Sequence, residues 1–438
     1  MRWNTLAAVL VTATIAAASS CERSETEPID EAPQPVGSKD DPVVEDARVA
    51  IHKGRQTFRF DTFGDEAFWG DQLHLHETIR TLTPVQVLGL GLKVDVEALP
   101  KPLQDKIKKG KVDLESPATT LALLKLNAVV GVTGFFEKDT LVSVGIQCAL
   151  CHSTVDDSLM AGIGKRLDGW PNRDLNVGAI IASAPTVAPL ANLIGITEAE
   201  LRGVLLGWGV GKFDAELILD GKTQNATGGP AATLLPAAFG LAGVNLHTYT
   251  GWGSVTHWNA LVANLEMGGK GIFSDARLDD PIKFPIAAAN GFDDVRDPVD
   301  RITPKLADLH FYQLALEAPK PPPNTFNPAA AMRGKDVFND PQRGDCARCH
   351  VPPIFTEPGW NMHTPDEIGI DDFQSNRSPD ERYRTTPLGG LFTRKKGGFY
   401  HDGRYADLDE VVAHYETVFG LNLSPGDRAD LIEYLKSL

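Results

Sequence analysis

Cys148 and Cys151 stand with two residues between them and His152 directly after, and Cys346, Cys349 and His350 repeat that arrangement. Two thiols at this spacing, followed by an imidazole, suit one piece of chemistry. The thiols add to the two vinyl groups on one edge of a porphyrin, and a short turn of chain lets both reach. The histidine then supplies the proximal nitrogen to the iron. Other readings of a C-x-x-C pair explain less. A redox disulfide leaves His152 and His350 without a purpose. A zinc site wants its two pairs roughly 15–20 residues apart, and these are about two hundred apart. The chain is expected to carry two covalent haem c groups, held by Cys148, Cys151, His152, Cys346, Cys349 and His350. Calcium is the other cofactor to consider, and no motif in the chain reads it.

The fifth cysteine, Cys21, has a different setting. Arg2 gives a short positive start, and Leu6 to Ala18 is an apolar run too short to span a bilayer. Ala18-Ser19-Ser20-Cys21 then resembles a bacterial lipoprotein signal, in which Cys21 is lipidated and becomes the mature N-terminus. Plain signal-peptidase cleavage is the alternative. Residues 22–46 are acidic and proline-containing, without the apolar periodicity that could bury a face, and read as a disordered tether. The expected location is periplasmic or outer-membrane-anchored, otherwise secreted. That agrees with haem c being attached outside the cytoplasm.

The elements that position the motifs follow from composition and punctuation. The 438 residues, 42% hydrophobic and 23% charged, allow two or three domains. A proline-rich stretch from Ala318 to Pro323 opens a linker, 318–327, that divides a large haem domain (47–317) from a small cytochrome c domain (328–438), after a signal segment (1–21) and the tether (22–46). The fold class expected is mainly α, with two cytochrome c-type haem domains, the first enlarged by long loops and extra helices. In the small part, Pro328 can open a helix at its first position, with Met332, Val337 and Phe338 as apolar contacts. Ser424 before Pro425 reads as the N-cap of a closing helix whose Leu431, Ile432, Leu435 and Leu438 share a face. Gly334 would let those two helices cross closely. Thr197, with acids after it, caps a helix in the large part.

The distal side of each iron sets redox potential and oxygen access. For the second haem the histidines His414 and His401 lie far enough beyond His350 to cross the ring, and Met362 is a further candidate. His414 follows Leu408, Val411 and Val412 and is the favoured sixth ligand. For the first haem, His74, His76, His247 and His257 compete without a ranking. The aromatic cluster Tyr249, Trp252, Trp258 and Phe273 offers an apolar distal pocket, with Trp258 and Phe273 as its candidate lining, or else is core packing.

Taken together, two C-x-x-C-H motifs on unequal domains resemble the bacterial di-haem cytochrome c peroxidase superfamily, which includes the methylamine-utilisation di-haem enzymes and the rubber oxygenases. Tyr383-Arg384-Thr385-Thr386-Pro387-Leu388, Phe399-Tyr400-His401-Asp402-Gly403 and the final helix are similar to the family's closing pattern. Phe58 to Glu66 with Phe68-Trp69 is similar to the rubber-oxygenase-like branch. The resemblance implies a ligand some way after His-Asp-Gly, a methionine in the peroxidases, for which His414 is the match here. It also implies a tyrosine alternative, for which Tyr383 or Tyr415 would serve. No residue matches the peroxidases' catalytic glutamate.

The formal charge of -16 disfavours nucleic acid and anionic lipid surfaces. The partners expected are a redox protein (a cytochrome or a cupredoxin) or a small-molecule oxidant, with membrane contact only through the lipid anchor. The leading function is an exported di-haem c-type cytochrome that transfers electrons, with the first haem as relay or reaction site. The rivals are a di-haem peroxidase or oxygenase acting on peroxide or an apolar substrate, and a non-catalytic haem subunit of a membrane redox complex.

Overall fold

Short helices, opened by Ser, Thr, Asp and Asn caps and joined by long loops, are the main regular structure in the computed structural model, which describes residues 41–438. Residues 1–40, with Cys21, the segment read as a signal and most of the segment read as a tether, lie outside the described residues. The helix Pro42–Phe60 begins inside the segment read as tether, so residues 42–46 are helical rather than unstructured. Strands are few and short: the described residues form two-stranded sheets only. The fold is mainly α. Among the described residues no helix is long and apolar enough to cross a membrane.

Asp46–Leu438 forms one compact unit. Its buried apolar side chains gather in several clusters. The largest runs from Trp69 to Leu235, and two others are centred on Phe58 with Tyr312 and on Trp252 with Phe284. The last contains Val337, Phe338, Leu408, Val412, Leu431 and Leu435. Each fully buried side chain of this size contributes about 1.5–3 kcal/mol relative to exposure.

The hairpin Val132–Glu137 with Thr140–Ile146 is the longest pair of strands and delivers the chain directly to the first motif. Its entry is Gly131, at φ +80°, where a Cβ would lie 2.2 Å from the Leu150 Cα. Only glycine fits both that backbone angle and that approach. The motif turn is therefore packed backbone to backbone against the hairpin's root.

The second motif is framed by the crossing of Pro328–Asn339 with Pro425–Lys436. Asn327 caps the first by accepting from the Ala329 and Ala330 amides, and Ser424 with Asp427 forms a capping box on the second. Each cap is worth about 1 kcal/mol. At the crossing, a Cβ on Gly334 would stand 1.9 Å from the Asp430 carbonyl oxygen, so only hydrogen allows the approach. Val337 and Phe338 are buried there, as their spacing predicts. Met332 is 74% exposed and makes no core contact, because it lies on the outer face of that helix.

Segments late in the chain reach into the large part. Arg377 is buried against Asp214 and Asp220, the Gln374 amide donates to Glu216 (2.9 Å), and the Leu234 amide donates to the His401 carbonyl (2.7 Å). These contacts place the two motif regions on either side of a common wall.

Candidate functional site: two motif cavities with a common wall

Cys148 and the helical turn Ala149–His152 hold the first motif. The His152 amide donates back to the Cys148 carbonyl (3.2 Å), which closes the turn between the two thiols. The His152 Nδ1 lies 3.2 Å from the Pro236 carbonyl oxygen. A carbonyl only accepts, so Nδ1 carries the hydrogen and Nε2 keeps its lone pair for a metal. Burial lowers the His152 pKa, which keeps the ring neutral. Burial also pushes Cys148 and Cys151 up to about 12. Thiols in that state are poor disulfide-exchange groups.

The second motif repeats the design. Cys346–Arg348 is a tight turn, the His350 amide donates to the Cys346 carbonyl (2.9 Å), and the His350 Nδ1 lies 3.1 Å from the Phe355 carbonyl oxygen. Burial lowers His350 and pushes Cys346 up to about 12. All four cysteines are free.

Each motif lines its own cavity. The first is about 380 Å³ and the second about 250 Å³, and both are walled mainly by apolar groups. Pro236, Ala237, Leu241, Thr248, Tyr249 and Arg384 line both. The carbonyl that anchors His152 thus belongs to the wall between them. A thiol pair, a neutral imidazole with a free Nε2 and an apolar slot fit a haem c in each cavity.

The distal candidates fall out unevenly. His401 and Tyr383 line the second cavity, with their rings stacked at 5.3 Å and 23°. Burial pushes His401 down to about 4, so it is neutral. The Tyr383 hydroxyl donates to the Asp371 carbonyl (3.1 Å) and accepts from the Ser375 amide (3.3 Å), so it is committed away from the cavity.

His414, the favoured sixth ligand, is not in the lining. Its Nδ1 is 2.8 Å from the Tyr405 hydroxyl and its Nε2 is 2.9 Å from the Ile368 carbonyl oxygen, so both ring nitrogens are engaged. The helix Leu408–Phe419 explains why. Leu408, Val411, Val412, Tyr415 and Phe419 line the cavity at helical spacing, and His414 falls one residue off that face. Tyr415 takes the position instead, together with Tyr400, and the two buried hydroxyls interact with each other. Met362 is also outside the lining. Its sulfur packs against Gly251, where a Cβ would meet it at 2.6 Å.

In the first cavity Trp258 lines the wall and its indole N–H is buried without a partner. Phe273 does not reach the cavity. It is core, packed against the His257 ring (5.6 Å) and clustered with Trp252 and Phe284. Of the competing histidines, His247 lines the cavity with its Nε2 at 3.1 Å from the Val244 carbonyl oxygen, whereas His74, His76 and His257 do not line it. Met267 lines it too.

Sequence reasoning missed a group of acids. Asp214, Glu216 and Glu266 line the first cavity, and Asp220 stands behind them. One buried cation, Arg377, faces this group, with hydrogen bonds of 2.8 and 3.0 Å to Asp220 and an ion-pair contact of 2.9 Å with Asp214. Burial pushes Glu266 well above its ordinary value, pushes Glu216 up, and brings Asp214 to about 7. Glu216 Oε2 and Glu266 Oε1 are buried without partners. Of these carboxyls Glu266 is the one that burial holds most firmly in the protonated form beside the first motif. Glu266 belongs to a π-helical turn, Val262–Glu266, of a kind often found at functional sites. The one signal was the run Phe213-Asp214-Ala215-Glu216-Leu217-Ile218-Leu219-Asp220, in which acids interrupt an apolar segment.

No family model and no curated protein matches the chain. Among solved structures it is similar to the di-haem peroxidase BthA of Burkholderia thailandensis, at 17% identity and TM-score 0.28, over 44% of this chain and 65% of that one. A point variant of that peroxidase gives 16% identity and TM-score 0.27, over 49% and 67%. The hydrazine synthase of Kuenenia stuttgartiensis gives 22% identity and TM-score 0.22, over 36% and 60%. The chain spans less than two thirds of the length of the first and last of these three. The likeness is distant and partial.

Proposed function

We propose that this chain is a di-haem c-type redox protein, with one haem bound through Cys148, Cys151 and His152 and the other through Cys346, Cys349 and His350. The observation that supports it is the pair of motif cavities with a common wall. Haems bound there supply one-electron redox chemistry and, where a sixth position is open, chemistry on oxygen or peroxide. The chain's part is to hold them close, keep them dry and tune them. The second cavity is lined by several polar groups that could hold or tune a haem there, Tyr415, Tyr400 and His401 among them, and would serve as the electron relay. The first is larger, and its partnerless indole and carboxyls make it the reaction site.

One observation favours a second reading, a peroxidase or oxygenase rather than a pure carrier. Glu266, whose carboxyl burial raises well above its ordinary value, and Glu216, raised in the same direction, each present a bare oxygen in the first cavity, and Glu266 would be the one to give a proton to a bound small molecule and take it back. The test is carbon monoxide binding to the fully reduced protein, followed by absorption. One haem of the two is expected to bind it. If both resist, the first cavity is not a reaction site. The same reading puts the protein outside the cytoplasm, with or without a lipid on Cys21, exchanging electrons with a cytochrome or cupredoxin. Cell fractionation, with labelled lipid on Cys21 as readout, tests that placement.

A further inference from the structure

The second cavity holds more positive charge than the chain neutralises. Arg173, Arg384 and Arg394 all line it, and Arg384 also lines the first. Arg173 is 6% exposed. Each of the three has a buried guanidinium nitrogen with no partner: Nε of Arg173, Nη1 of Arg384 and Nε of Arg394. Among the described residues, none of the three has a carboxylate within ion-pair distance.

Their contacts are with neutral groups: backbone carbonyls, the Tyr249 side chain beside Arg173 and the Phe239 ring under Arg394 (5.8 Å). Arg394 donates to Pro387 (2.8 Å) and Gly389 (2.9 Å), Arg173 to Lys396 (3.3 Å), and Arg384 to Thr248. Carbonyls orient the forks and supply no charge. Asp174, next in sequence to Arg173, is already engaged by Lys93 and Lys396. Burial, together with mutual repulsion, brings Arg384 and Arg394 down to about 10. Three buried cations without an anion are a standing cost that a fold tolerates only when an anion arrives.

We infer that Arg173, Arg384 and Arg394 form a carboxylate clamp for the two propionates of the haem bound at Cys346 and Cys349. This rests on the di-haem reading above. A haem c has its vinyl edge taken by the two thiols, so its propionates leave from the other side of the ring. Planar guanidinium forks match carboxylates in pairs of parallel hydrogen bonds. Two carboxylates against three guanidiniums leave Arg384 able to serve the wall between the cavities as well. The clamp thereby turns the propionate edge of the second haem toward the first cavity.

The experiment is a redox titration of the purified holoprotein, with each haem followed by its absorption. Mass spectrometry of the denatured chain first counts the covalent haems. Fewer than two would remove the di-haem reading itself, whereas two retained haems leave the clamp alone under test. Arg173→Gln and Arg394→Gln are expected to shift the second haem's midpoint potential negative by more than the first's. A nearby positive charge disfavours the oxidised iron, and its loss favours it. Arg394→Lys, which keeps the charge, is expected to restore most of the native value. The clamp is wrong if both glutamine variants keep two haems and leave that potential unmoved, or if lysine and glutamine shift it alike. Where a variant fails to fold, the native protein decides by resonance Raman scattering. Propionate bending bands at the frequency of strongly hydrogen-bonded carboxylates support the clamp, and solvent-like bands overturn it. A diffusible anion in the triad would instead make the second potential follow phosphate concentration at constant ionic strength, which also overturns it.

Discussion

Gly131→Ala should damage the first motif selectively, by an amount that follows from two separable effects. The residue has φ +80°, where a side chain costs about 1–2 kcal/mol. The new Cβ would also stand 2.2 Å from the Leu150 Cα and 2.3 Å from its amide nitrogen, backbone atoms of the motif turn that cannot rotate away. Overpacking of that kind adds about 1–3 kcal/mol. Gly195→Ala is the control. It closes the helix Ala188–Ile194 at φ +76° with nothing within 4 Å of a Cβ, so it carries the backbone cost alone. The stiffening of the unfolded chain by alanine is common to both variants and cancels. Denaturant unfolding of the two holoproteins should differ by about 1–3 kcal/mol, roughly a factor of 5 to 150 in the unfolding equilibrium. Gly131→Ala should also lose covalent haem at Cys148 and Cys151 while keeping it at Cys346 and Cys349. Equal destabilisation by the two variants, with both haems retained, would refute the close packing of the motif turn on the hairpin root.

Four further outcomes follow from the same geometry. His414→Gln should leave the absorption and electron paramagnetic resonance of both haems unchanged, because its nitrogens are bonded elsewhere, whereas Tyr415→Phe should alter the second haem's spectrum. Glu266→Gln, nearly isosteric with the protonated acid, should leave stability at pH 7 intact and slow peroxide-dependent turnover by about 10²-fold or more, measured by stopped flow. Asp65 is buried and raised to about 9. It holds a proton in the folded state that the unfolded chain releases near pH 4, so stability falls as pH rises from about 4 to about 9. Asp65→Asn should flatten that slope in a series of thermal unfolding curves. Gly334→Ala should destabilise the helix crossing by about 1–3 kcal/mol despite alanine's higher helix propensity, read as a lowered unfolding temperature.

The parts of this molecule that are local in the chain were legible in its sequence. Two cysteines and a histidine within five residues are recognisable as a motif without a fold. The caps at Thr197 and Ser424 lie beside the helices they open. Gly334 was readable because a close helix crossing has few other solutions. What failed was the rotational phase of one helix and the partners of buried groups. Leu408, Val411 and Val412 pointed to the right face, and seven residues on from Leu408 along that face is Tyr415, not His414. Phe273 read as pocket because it is aromatic, yet it belongs to a strand, Ile272–Ser274, whose neighbour turns it into the core. The acids near Arg377 and the three guanidiniums of the wall were invisible for a different reason. Each is an ordinary charged residue until segments more than a hundred residues apart bring it into the dark.

Two haems fixed covalently at two separate motifs would survive unfolding of the chain, so mass spectrometry of the purified protein after denaturation decides the matter. The expected mass equals the polypeptide plus two haems, falling by one haem when Cys148 and Cys151 are replaced by alanine. A chain that sheds all its haem on denaturation, or keeps only one, would contradict it.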